Sequence, residues 1–351
     1  MHEAVFVVPG SIDTRTGGSI YDRRMVDGLR HRGWTVEVRE LDTGFPFPRP
    51  AAIAHAAEVL AAVATNTVVV IDGLALSVLP DLIEREASRL RIAALIHLPV
   101  SAAVGLDLDT AERLAAVERR ALHAAAMIVV TGRTSLAMLQ RYALAPKPIV
   151  VVEPGTDRAV PVQRSEGSTL MLLSVATLNP GKGHDVLLQA LARVPHRGWH
   201  LTCVGSLTRH PETTTRVRHL IRELDLADCV SLTGELDRAA VADYYYNSDV
   251  FVLATRQETY GMAVAEALAH GHPVVSTMTG AIPQLVGREA GVLVPPGDVD
   301  ALAEALSRVI GDAAFRARLA GGARRVSAQL PGWNDAAARF AAALEGLGTN
   351  G

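Results

Sequence analysis

The sequence predicts an α/β chain made of two Rossmann-like, doubly wound parallel-sheet domains, and three observations carry that prediction. Apolar runs of strand length alternate with segments of helical period along the chain. The runs are almost pure Val, Ile and Leu, as at residues 68–71 and 250–253, which suits strands buried on both faces. The alternation breaks off at residues 154–168, where Pro, Gly and polar residues follow no period, and a second series starts at 170. With 351 residues there is enough chain for two cores. Aromatics are only 4% of the residues against 49% hydrophobics, so Ala, Val, Leu and Ile must fill those cores.

In order, the first series reads as a strand at 4–8, ended by Pro9-Gly10, then a loop containing Gly17-Gly18. A helix follows over 19–32 with Gly33 as its stop, then a strand at 34–38. Helices at 51–64, 81–90, 110–126 and 134–141 alternate with strands at 68–71, 92–96, 127–130 and 149–152. The second series has strands at 170–175, 200–204, 230–232, 250–253 and 273–276. Its helices fall at 185–194, 214–224, 239–245, 261–269, 299–310 and 312–319. A last helix at 333–344 follows Pro331-Gly332, and 345–351 reads as a frayed end. The expected division is 1–160 and 161–330, with 331–351 packing back on the first domain. Tandem domains of this kind leave a cleft between them, and ligands bind beyond the carboxyl ends of the strands.

Charge and cysteine content exclude several functions. A net charge of −3 offers nucleic acid no basic surface. No apolar run reaches the ~18 residues of a membrane span, and the start of the chain has no signal-peptide pattern. Cys203 and Cys229 have no metal-ligand spacing, and so few cysteines fit a reduced, cytoplasmic protein. Neither a metal nor a cofactor is expected: a lysine and a helix N-terminus can supply the positive charge, and Gly17-Gly18-Ser19 is not the dinucleotide fingerprint.

The residues with chemical content lie just after strands. Glu258 follows the strand at 250–253, and a helix starting near Tyr260 directs the amides of Tyr260, Gly261 and Met262 outward, a place for a diphosphate. Glu266 lies about two turns further along. One carboxylate can accept from sugar hydroxyls and the other from ribose hydroxyls; an ordinary loop Glu and a surface Glu are the plain alternative. Lys182, in Leu173-Ser-Val-Ala-Thr-Leu-Asn-Pro-Gly-Lys-Gly-His184, can neutralise a leaving diphosphate. Lys147 and Lys182 are the only lysines among the 34 basic residues, which marks Lys182 as a residue Arg does not replace. A solvated loop Lys is the alternative. His97 and Asp72 end strands and point to the same mouth; a structural His is the alternative for His97.

The segment from Val250 to Ser276, with Glu258, Gly261, Glu266 and Gly271-His-Pro-Val-Val275 in order, resembles the two-glutamate signature of glycosyltransferase family 4. The resemblance extends over nearly the whole chain and implies the GT-B architecture and sugar transfer with retention by a front-face route. It implies that Glu258 meets the donor sugar, Glu266 the ribose, Lys182 the diphosphate, and His97, as a neutral donor, the sugar. It lends Gly17 and Gly18 a place facing the diphosphate. It places Gly205, the loop Thr233, Gly234, Glu235 and Leu236, and Thr279-Gly280-Ala281 near the donor. Two positions depart from the family: Thr259 stands where Gly is usual, and Thr177 where an Arg usually pairs with the Lys. Arg15 is the topological candidate to replace that Arg. The expected donor is a UDP-sugar, with GDP- or ADP-sugars next. The acceptor is open, its contacts expected from loops 11–16, 43–50 and 101–108. A nucleotide-sugar epimerase, a non-catalytic nucleotide-sugar-binding module and a two-lobed solute-binding protein are the rival readings.

Overall fold

The structure, a computed structural model, describes residues 2–159, 169–195 and 198–348. It forms two compact units, Met1–Gly155 with Pro331–Gly351, and Thr156–Leu330. Part of the 154–168 segment, from 160 on, lies outside the described residues.

The first unit holds six parallel strands, β1 (Glu3–Pro9), β2 (Thr35–Leu41), β3 (Val68–Asp72), β4 (Arg91–Ile96), β5 (Met127–Val130) and β6 (Ile149–Val151). Their order is β2-β1-β3-β4-β5-β6. The register is set by apolar pairs such as Val5 with Val69 and Val70 with Ala93. All five residues of β3 are buried, because helices cover both faces of the sheet. One of those helices is the last in the chain, Trp333–Gly348. Its Ala336, Ala337, Phe340 and Leu344 join the core under β1 and the helix Gly17–His31. A Cβ on Gly28 would come within 2.3 Å of that of Ala337, so glycine permits this close helix contact.

The second unit holds β7 (Leu170–Val175), β8 (Trp199–Val204), β9 (Val230–Gly234), β10 (Val250–Leu253), β11 (Val274–Thr277) and β12 (Gly291–Val294). The order is β12-β11-β10-β7-β8-β9. In both sheets the chain builds outward on one side and then crosses to the other. That creates a switch point between β1 and β3 in the first unit, and between β7 and β10 in the second. Diverging loops leave a crevice at such a point, and Lys182 and Glu258 lie on the loops after β7 and β10.

Several expectations need correction. Gly17 and Gly18 are not in a loop: they open the helix Gly17–His31, whose cap is Thr16, with Oγ1 accepting from the Ser19 amide at 3.2 Å. The helix expected from 261 begins at Met262, with Gly261 as a left-handed cap, so Tyr260 is a buried residue ahead of it. Thr233 and Gly234 belong to β9 rather than to the loop after it. The short elements Gly73–Leu76, Ile282–Val286 and β12 were missed, being too short to show a period. Helix Ala313–Ser327 runs past the expected end at 319. Gly321-Gly322 reads as a stop, at ~1 kcal/mol per glycine. Buried Phe315, Leu319 and Ala323 hold the helix through it, and a Cβ on Gly322 would strike the Glu289 carbonyl at 2.1 Å. Residues 345–348 are helical rather than frayed, and Arg91 Nη1 donates to the Leu347 carbonyl at 3.0 Å.

Candidate functional site

At the β7/β10 switch point two loops are joined into one body. The loop after β7 carries Lys182 on a short 3-10 turn, Pro180–Lys182. The loop after β10 carries Glu258. Lys182 Nζ donates to Glu258 Oε2 at 2.6 Å, with both side chains part-buried. The backbones are fastened as well. The Arg256 amide and Thr255 Oγ1 both donate to the Gly181 carbonyl, at 2.7 and 3.0 Å. A Cβ on Gly183 (φ +66°) would lie 2.0 Å from the Ala254 carbonyl oxygen, so only glycine lets the loops approach this closely.

Arg256 is the residue that sequence reasoning missed. Its Nη1 donates to the Pro180 carbonyl at 2.9 Å, and its fork meets both oxygens of Asp185 at 2.8 Å each. Partial burial pushes the Asp185 carboxyl up, but the hydrogen bonds and charge of Arg256 outweigh it and hold the group below the ordinary range. No side chain on the Lys182 loop signals this, because the partner lies 71 residues further on. Arg256 is therefore fastened to the Lys182 loop, which itself offers only Thr177 at the family's Arg position, and three of its N–H donors go to Asp185 and Pro180. His184, next along, is buried, and desolvation with the Lys182 charge pulls its pKa down to about 4, so it adds no charge.

Arg256→Ala is expected to lose about 1–3 kcal/mol of stability, since it leaves a part-buried carboxylate without its charged donor. Arg256→Lys should recover little of that, because an ammonium cannot reproduce the fork. Chemical unfolding of the three proteins checks this.

On the other side of Glu258, a Cβ on Gly280 would sit 1.8 Å from the Glu258 carbonyl oxygen, and the Ala281 amide donates to the Thr259 carbonyl at 3.2 Å. The Thr279-Gly280-Ala281 loop thus backs the Glu258 loop, and Thr259 does not disturb it. Glu266 lies on helix Met262–Ala269. The buried Tyr245 hydroxyl is 3.2 Å from Glu266 Oε2 and 3.1 Å from the Ala263 carbonyl. Burial, then the Glu266 charge, keep this phenol far from ionising. Tyr245 was read only as helix interior, and its link to Glu266 is a tertiary contact. The Gly205 amide donates to the Gly234 carbonyl at 3.0 Å, and a Cβ on Gly205 would strike the Ala176 carbonyl oxygen at 2.0 Å. Thr177, Gly205 and Gly234 are therefore brought together at the ends of β7, β8 and β9. Glu235 pairs with Arg209 at 3.3 Å, and Leu236 packs against the core that contains Tyr245 and Tyr260.

In the first unit, His97 directly follows β4 and meets Asp22 (2.9 Å) and Asp72 (3.4 Å) through Nε2. Gly18 packs on the ring, where an added Cβ would lie 3.3 Å from Cδ2. Desolvation alone would lower the His97 pKa, but the charges and hydrogen bonds of Asp22 and Asp72 raise it to about 10. Two buried carboxylates on one ring nitrogen favour the protonated ring, where a neutral His97 was expected. Arg15 lies in this unit, just before the helix at Gly17, and is no part of the Lys182 loop. Among the described residues no helix is long and apolar enough to cross a membrane.

The fold defines a class: two doubly wound parallel sheets, the architecture of GT-B proteins. The chain superposes on sucrose-phosphate synthase from Thermosynechococcus elongatus with a TM-score of 0.83 at 22% identity, covering 99% of each chain. It superposes on Anabaena Alr3699/HepE, solved in complex with UDP-glucose, with a TM-score of 0.76 at 17% identity, covering 98% of this chain and 99% of that one. Within this class, residues 169–312 match the family described as Glycosyl transferases group 1. The D-inositol 3-phosphate glycosyltransferase of Xylanimonas cellulosilytica is 35% identical over 158 residues, 45% of this chain and 37% of that protein. The mannosylfructose-phosphate synthase of Agrobacterium fabrum is 28% identical over 240 residues, 63% of this chain and 53% of that protein. The chain thus spans about a third to a half of the length of these two relatives.

Proposed function

We propose that the protein is a retaining glycosyltransferase that moves a sugar from a nucleotide diphosphate sugar to an acceptor hydroxyl. The observation that carries this reading is the Lys182–Glu258 pair at the β7/β10 switch point, held by Arg256 and Gly183. In this reading the donor diphosphate takes over Lys182, which frees Glu258 to accept from the sugar hydroxyls. The amides at the start of helix Met262–Ala269 face the phosphates, where a helix N-terminus favours negative charge. Lys182 stabilises the charge that develops as the glycosidic bond breaks. The departing phosphate accepts the acceptor proton on the same face, which preserves the anomeric configuration.

Support for the donor class comes from the names of relatives and from the HepE complex with UDP-glucose. A UDP-sugar is favoured, with GDP- and ADP-sugars next, and the acceptor is left to the loops of the first unit. Lys182 and the helix start supply the positive charge without a metal ion. The epimerase and binding-module readings have no observation in their favour. The test is nucleotide diphosphate release from UDP-, GDP- and ADP-glucose and GDP-mannose. It is run with inositol phosphate and sugar phosphate acceptors, and with and without EDTA. Acceptor-dependent release that survives EDTA is the expected result; donor isomerisation without an acceptor would replace this reading with an epimerase.

Glu266→Ala is expected to raise the donor KM about tenfold with a smaller change in kcat, because a ribose contact acts in the ground state as well. Tyr245→Phe should shift the same parameter less, since it loses one neutral donor worth about 1 kcal/mol. Steady-state kinetics at saturating acceptor checks both; an unchanged donor KM in Glu266→Ala removes it from the site.

A further inference from the structure

Asp22 has no place in the chemistry described so far, yet it is a buried carboxylate. It lies on the core face of helix Gly17–His31, beside buried Tyr21, Met25, Val26 and Leu29, and is 2% exposed. Burying a carboxylate costs several kcal/mol unless a partner compensates, so an apolar residue there would serve packing better. Its partner is His97 Nε2 at 2.9 Å. Asp72, also buried, reaches the same nitrogen at 3.4 Å with Oδ2, while its Oδ1 accepts from the Leu74 amide at 2.7 Å. Three elements, one helix and the ends of β3 and β4, thus converge on one edge of one ring at the first unit's switch point.

We propose that Asp22 is a positioning residue: with Asp72 it holds the Nε2 edge of His97, so that the ring stays an imidazolium and offers Nδ1–H to a ligand oxygen at the carboxyl end of the first sheet. The use of that donor in turnover rests on the glycosyltransferase reading. An Asp–His pair is commonly the orienting half of a general base. Here a second carboxylate shares the same nitrogen, and an imidazolium has no lone pair with which to take a proton. His97 is therefore a fixed donor, and deprotonation of the acceptor falls to another group. The remaining groups around the ring do not oppose this. Tyr21 meets it edge-on at 5.3 Å, with its hydroxyl donating to the Val152 carbonyl at 2.8 Å, and burial raises that phenol well above its usual pKa. Ser135 and Thr131 donate to the His97 carbonyl, at 2.7 and 3.4 Å, and fix the backbone. Burial, joined by the charge and hydrogen bond of Asp72, outweighs the lowering by His97 and raises the Asp22 carboxyl to about 7, so the pair shares its proton tightly.

The same three side chains bring their ligand atoms within 4.8 Å of one another, a spacing that a divalent cation could use. A metal requires a neutral imidazole, so the two states exclude each other and can be told apart. The experiment follows the His97 ring by 15N–13C NMR in the full chain, assigned with His97→Gln, from pH 6 to pH 9 in the presence of EDTA and then of Zn2+. The expected result is a ring protonated across the whole window in the wild type. In Asp22→Asn the ring should titrate inside the window, and kcat/KM should gain a basic limb, falling about tenfold between pH 7 and pH 9 relative to the wild type; Asp22→Glu should abolish that limb. A neutral His97 at pH 7 in the wild type, or stoichiometric Zn2+ binding that displaces the ring proton, would overturn the proposal. So would a folded Asp22→Asn with a wild-type pH profile. The wild-type spectrum decides even if Asp22→Asn fails to fold or no donor is turned over, so failure of the activity reading is not confused with failure of this one.

Discussion

Lys182→Ala is expected to reduce kcat/KM for the donor by about 10²–10³-fold, the usual cost of removing one preorganised electrostatic contact from a transition state. Two losses combine. The cation that meets the leaving diphosphate disappears, and Glu258, whose Oε2 is paired with Lys182 at 2.6 Å, is left as a bare carboxylate where the phosphates must bind. Arg256, the cation fastened to the same loop, is held with its fork on both oxygens of Asp185. A helix start alone contributes only about 0.3–1 kcal/mol at an exposed position. Calorimetry of UDP binding, alongside nucleotide-release kinetics, is the measurement. UDP affinity and turnover within twofold of wild type would show that Lys182 has no part in leaving-group stabilisation. Thr177→Arg provides the converse: a guanidinium at the position where the family carries one should tighten UDP binding, since a planar fork matches phosphate oxygens.

Glu258→Gln is expected to separate binding from turnover. Turnover should fall about ten- to a hundredfold or more, because a hydrogen bond to a charged group contributes ~1.5–3 kcal/mol. Free UDP should bind as well as or better than in the wild type, since Lys182 no longer has to leave a carboxylate. The fold should survive: Glu258 lies on a loop whose shape is kept by Gly280, by the Ala281 amide and by the backbone bonds of Thr255 and Arg256, none of which uses the Glu258 side chain. Opposite shifts in UDP affinity for Lys182→Ala and Glu258→Gln are the signature of the ion pair as a resting state that the donor opens. UDP affinity that falls in both variants would mean that the pair only braces the loops.

Both six-stranded sheets were largely legible as sequence. Strands buried on two faces need runs of Val, Ile and Leu, and such runs survive any rearrangement of loops. The loops that carry Lys182 and Glu258 were legible for a related reason: they follow the strands β7 and β10, where an α/β sheet opens to ligand. Short edge strand β12 and the four- and five-residue helices were not, since each is held by its neighbours rather than by its own periodicity. The helix expected at 312–319 runs on through Gly321-Gly322, because packing against Glu289 overrules the low helix propensity of the doublet.

By itself, then, the sequence determined the fold class, the carboxyl ends of strands as the places to look, and the residues there that bear charge. Only the tertiary structure decided what those charges do to one another. Lys182 is paired with Glu258, the Arg256 fork is on Asp185, Tyr245 is tied to Glu266, and His97 is held at Nε2 by Asp22 and Asp72. Strand periodicity is local, and a few neighbouring residues suffice to express it. A pairing of charges depends on distances of a few ångströms between residues that lie, in the Asp22–His97 case, 75 positions apart, and only the folded sheet brings them within reach.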